Sequence, residues 1–148
     1  MLNTLYDTDF DARTQAQVAA LRAKDWAALD INHLAEEIED LRKGERKAVR
    51  SHLRIVLSHL LKWTYQPQER DRRGSGCRAS IDNGRVLIQD FLEDSPSVQS
   101  ELPALAAWAY PRARRDAAQQ TGLPLATFPE TCSWPLEQVL DPLFFPEA

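Results

Sequence analysis

Between Asp30 and Gln66 the chain reads DINHLAEEIEDLRKGERKAVRSHLRIVLSHLLKWTYQ, an acidic amphipathic segment that passes through Gly44 into a basic one. Asp30 is a good N-cap, and Ile31, Leu34, Ile38 and Leu41 recur at helical spacing behind it. From Glu45 to Tyr65 the apolar residues Val49, Leu53, Val56, Leu60 and Trp63 alternate spacings of four and three, widened by Leu57 and Leu61. Two helices are expected, with the chain reversing near Gly44 so that the acidic helix lies antiparallel to the basic one. The second helix, about 30 Å long, would be the centre of a bundle.

The remaining segments read as helices of similar kind. Helix one is expected from about Thr8 to Ala23, with Phe10, Thr14, Val18 and Leu21 on its core-facing stripe. The charged, glycine-bearing stretch from Glu69 to Gly76 reads as a loop. Helix four should span about Cys77 to Glu93 and present Ile81, Ile88 and Leu92; Asn83-Gly84 is its weak point, because that pair also suits a tight turn. Ser95-Pro96 starts the next helix, which Pro103 restarts, Pro111 kinks and Gly122 caps. Beyond Leu123, prolines alternate with Phe128, Trp134, Phe144 and Phe145, leaving room only for a short helix from Pro135 to Leu140. The expected fold is all-α: one domain over residues 1–148, a bundle of about five helices with the Pro/aromatic-rich C-terminal tail packed on it.

Composition narrows the function. The start lacks the pattern of a secretory signal, no apolar run approaches the roughly 18 residues of a membrane helix, and Cys77 and Cys132 are too few for a disulfide framework. These features point to a cytoplasmic protein with no membrane contact. A net charge of −4 argues against a dedicated nucleic-acid binder. The charge is nevertheless uneven, with nine acids against three bases up to Leu41, then ten bases against three acids from Arg42 to Arg73.

The titratable groups cluster in the same region. Antiparallel packing about Gly44 would set Glu37 opposite His52 and Asp30 opposite His59, and a carboxylate beside an imidazole is an acid/base pair or half a metal site. The simpler reading is a structural hydrogen bond. The spacings match no His-Glu-x-x-His or paired Glu-x-x-His design, so no metal and no cofactor is expected. Lys62, Trp63 and Tyr65 lie beside Arg70, Arg72, Arg73 and Arg78, a set that could hold a phosphate, although cations near a helix C-terminus are also what the helix dipole favours.

Several ordered segments carry a resemblance: YDTDF at Tyr6 to Phe10, LAEEIEDL at Leu34 to Leu41, HLLKW at His59 to Trp63, LEDSPS at Leu92 to Ser97, TGLP at Thr121 to Pro124 and FPETCSWPLEQVL at Phe128 to Leu140. Over nearly its full length the chain resembles the bacterial domain of unknown function 29 family. The resemblance implies an all-helical fold and no assigned activity. It directs attention to Glu36, Glu37, Glu39, His59 and Lys62 and away from His33 and His52; the chain departs from the family near Gly76-Cys77 and at Asn83-Gly84. The leading expectation is a non-enzymatic interaction module contacting a protein partner or its own copy. The alternative is an enzyme or ligand-binding protein using Glu37 and His59, with Lys62 and Trp63 beside them. A third reading is nucleic-acid binding through Arg42 to Arg73.

Overall fold

The helical periodicities resolve, in a computed structural model that describes residues 9–70 and 76–147, into five α-helices with no strand among the described residues. They are α1 (Phe10–Arg22), α2 (Ile31–Tyr65), α3 (Gly76–Asp94), α4 (Leu102–Thr121) and α5 (Leu136–Leu140), with short 3-10 turns between several of them. The chain divides into two compact units, Met1–Lys43 and Gly44–Ala148.

In the first unit the Asp9 carboxylate accepts from the Ala12 amide at 2.9 Å and caps α1. The helix ends in a Schellman-type turn without glycine: Lys24 takes φ 57°, Asp25 N–H donates to the Ala20 carbonyl and Lys24 N–H to that of Leu21. Gln17 then clamps the connection, donating to the Ala28 carbonyl at 3.3 Å and accepting from the Asp30 amide at 2.9 Å. Of the expected helix one, Thr8 lies outside the described residues.

The reversal expected near Gly44 does not occur. One helix, α2, runs unbroken from Ile31 to Tyr65. A mid-helix glycine costs about 1 kcal/mol and no proline accompanies it, so nothing compels a break. Of the charged residues along this stretch, Lys62 stands in the last turn, where the helix dipole favours a cation.

The second unit is built on the apolar stripe of α2, whose Val49, Leu53, Val56 and Leu60 are wholly buried. From α3 come Ile81 and Ile88, and from α4 Ala109, Ala113 and Ala117, whose small side chains give a close seat. Gly84 stays helical, and its reason is steric: a Cβ there would stand 2.5 Å from Val56 Cγ2. The Asn83-Gly84 pair is thus a helix contact and not a turn. Pro103 falls in the first turn of α4, the helix continues through Pro111, and Gly122 closes it at φ 74°. Of the expected loop from Glu69 to Gly76, residues 71–75 lie outside the described set.

Aromatic and cationic contacts anchor the segment after α4. Phe128 is fully buried and meets Tyr65 edge-on at 5.3 Å, while Phe145 lies 5.0 Å from Trp63. Arg85, only 4% exposed, donates to the carbonyls of Val139 and Phe144, each at 2.8 Å. Burial of a ring such as Phe128 contributes about 1.5–3 kcal/mol, and the guanidinium satisfies carbonyls that an irregular segment leaves without partners.

Candidate functional site

The apolar residues of α1 fall on one side of the helix, as their spacing requires, but that side faces outward. The helix buries Arg13 (8% exposed), Gln17 (5%) and Ala20, while Phe10 is 62% exposed and Val18 and Leu21 are exposed as well. The start of α2 behaves alike: Ile31, Ile38 and Leu41 are exposed, Leu41 at 74%, and only Leu34 is half-buried. Both stripes were expected to face a core, and here the expectation is corrected. Gln17 is held inward by the backbone groups it clamps, and Arg13 by its 2.6 Å ion pair with Glu37.

Between α1 and the start of α2 lies a groove of about 290 Å³. Phe10, Val18, Leu21, Leu34 and Leu41 make it apolar, and two polar contacts edge it, the ion pair of Arg13 with Glu37 and the hydrogen bond between His33 and Asp30. The hydrogen bond from His33 holds the Asp30 carboxyl below the usual carboxylate range.

The residues singled out from the sequence do not form one site. Glu36 and Glu39 are exposed, with Glu39 facing Arg42 at 3.6 Å, and Glu37 is taken by Arg13. With no turn at Gly44, neither the Glu37–His59 pair nor the pairs of Glu37 with His52 and Asp30 with His59 are formed. His52 instead lies near the Phe91 ring. His59 is half-buried with a buried Nδ1 that has no hydrogen-bond partner; burial, aided by the Lys62 cation, lowers its pKa to about 4. An imidazole so disposed stays neutral at ordinary pH.

Lys62 and Trp63 do come together, in a polar cleft of about 330 Å³ that they line with Gln66, Arg70, Cys77 and Gln120. Lys62 Nζ donates to Gln120 Oε1 at 2.7 Å. Arg70 Nε donates to the Trp63 carbonyl at 2.6 Å and its guanidinium lies 5.0 Å from the Trp63 ring. The Cys77 thiol donates to the His59 carbonyl, and burial raises its pKa against the pull of Lys62.

Much of the basic run is engaged within the second unit. Arg46 binds Glu101 through two hydrogen bonds and Arg54 binds Asp116 in the same two-pronged manner, while Arg50 lies 4.1 Å from the Trp108 ring. Arg72 and Arg73 are outside the described residues. Sequence reasoning passed over Arg13, Gln17, Gln120 and Arg85. Arg13 and Gln17, four apart beside the apolar stripe, left one visible sign; Gln120 and Arg85 left none, because they serve groups distant along the chain.

Among the described residues no helix is long and apolar enough to cross a membrane, and no group of three or more His, Cys, Asp or Glu could hold a metal ion. A family model described as Domain of unknown function DUF29 matches residues 5–145. No curated protein and no solved structure matches the chain.

Proposed function

The chain belongs to the DUF29 family, whose description assigns no activity, and from its N-terminal hairpin we propose that it is a non-enzymatic interaction module that pairs with a second copy of itself. One observation carries this reading: the hairpin turns Arg13 and Gln17 inward and Phe10, Val18, Leu21, Ile38 and Leu41 outward. Scattered exposed apolar residues need no explanation, but a contiguous set on two adjacent helices marks an interaction surface.

Exposure and charge favour a like copy as the occupant. Phe10, Ile31, Ile38 and Leu41 are each more than 60% exposed, and Val18 and Leu21 are exposed beside them. Along α1, Asp9 and Asp11 stand at the start and Arg22 and Lys24 at the end, so a two-fold axis that sets α1 against its copy places acids opposite bases. Paired hairpins of this kind make a four-helix bundle.

Dilution calorimetry tests the reading. Wild-type protein should show a concentration-dependent heat of dissociation, and Leu41→Glu should weaken association at least about tenfold, since it places a charge on the proposed contact. An absence of dilution heat, or association that Leu41→Glu leaves unchanged, would overturn it. Leu41 is exposed, so the variant should fold as the parent does.

A further inference from the structure

The polar cleft of the second unit holds two cationic side chains, Lys62 and Arg70, with no anion among the described residues that line it. Burial lowers the pKa of Lys62, which means its charge is poorly solvated. Asp116, whose carboxylate acts on the ammonium electrostatically, is already clasped by Arg54 through bonds of 2.5 and 2.7 Å. Arg70 is in a similar state: Nε is satisfied by the Trp63 carbonyl, yet Nη2 is buried with no hydrogen-bond partner among the described residues. Unpartnered buried donors on charged groups are costly, and a structure that retains them in a cleft is preorganised for an acceptor.

The cleft also says what kind of acceptor fits. Its volume of about 330 Å³ exceeds what a few waters need, at roughly 30 Å³ of liquid volume each. Two cations match the charge of about −1.5 to −2 on a phosphate monoester better than that of a single carboxylate. The planar Arg70 fork and the compact Lys62 ammonium supply the two donor types that phosphate oxygens take, and Gln120 holds the ammonium in place. Trp63 carries the Arg70 guanidinium and also meets Phe145, so its ring is engaged with protein groups. The structure assigns to this cleft the binding of a small phosphate-bearing molecule, held by Lys62 and Arg70 through its phosphate group. This site is separate from the hairpin groove and does not depend on it.

Titration of the full chain with inorganic phosphate, followed by calorimetry and by the fluorescence of Trp63, tests the assignment. Saturable binding at one site per chain is expected, weakened at least about tenfold in Arg70→Gln and in Lys62→Gln because charge-assisted hydrogen bonds are among the stronger ones. Lys47→Gln, which removes an exposed cation outside the cleft, should leave affinity unchanged. No saturation with phosphate, equal binding of acetate, or affinity insensitive to both cleft variants would overturn the assignment. Should Arg70→Gln fail to fold, Lys62→Gln decides, since Lys62 reaches the cleft from the last turn of α2 and among the described residues hydrogen-bonds only to the Gln120 side chain.

Discussion

Replacing Gly84 by alanine sets two effects of opposite sign against each other. Alanine should favour a helix by about 1 kcal/mol over glycine. The added methyl, however, would lie 2.5 Å from Val56 Cγ2 and 3.6 Å from the His52 carbonyl oxygen. Val56 is fully buried and β-branched, so its side chain has one strongly preferred rotamer in a helix. Overpacking of this kind costs about 1–3 kcal/mol, and with a contact this short the upper part of that range applies. Gly84→Ala should therefore lose about 1–2 kcal/mol net, while Gly44→Ala, whose Cβ would meet nothing within 4 Å, should gain about 1 kcal/mol. Urea unfolding followed by the fluorescence of Trp63, Trp108 and Trp134, all in the second unit, measures the first effect; helical circular dichroism follows the second. In a Val56→Ala background Gly84→Ala should become stabilising, which isolates the contact. The steric account is refuted if Gly84→Ala stabilises the otherwise unchanged chain.

Three further perturbations probe other parts of the structure. Arg85→Met should cost about 2–3 kcal/mol, because the Val139 and Phe144 carbonyls lose a charged donor; limited proteolysis should then cut within residues 135–147, and unchanged resistance would count against the anchoring role. His59 has a pKa lowered to about 4 in the folded chain from an ordinary value of 6.5, so its contribution to stability is complete above about 6.5 and is lost as pH falls toward 4. His59→Gln should flatten stability across that window, as read from urea midpoints at each pH. Asp116, held below the usual carboxylate range by Arg54, follows the same sign at lower pH: stability present above about 3.8 is lost below it, and Asp116→Asn should remove that dependence.

The sequence carried the helices well and their arrangement less so. Apolar spacing identified the stripe of α2 from Val49 to Leu60 and the stripe of α3, because both are buried against other helices and burial is what the periodicity records. The same signal misled in α1 and at the start of α2, where Phe10, Ile38 and Leu41 recur at helical spacing yet face outward. Periodicity shows that a face is apolar and is silent on what covers it. Gly44 invited a turn that the continuous helix does not make, whereas Gly84, read as helical against the alternative of a tight turn, is helical, for a reason invisible without the fold, its contact with Val56. Of the candidate residues, Lys62 and Trp63 share a cleft because they lie next to each other on α2. Glu37 and His59 were linked only through a reversal that the helix does not make.

The outward-facing apolar hairpin is the centre of the account, and the mass of the wild-type chain in solution tests it most directly. Sedimentation equilibrium over a range of concentrations should approach twice the 16.8 kDa of a single chain, and should return to that single mass when Phe10→Glu is combined with Leu41→Glu. A wild-type mass that stays at 16.8 kDa at every concentration, or a dimer that survives both charges, would contradict it.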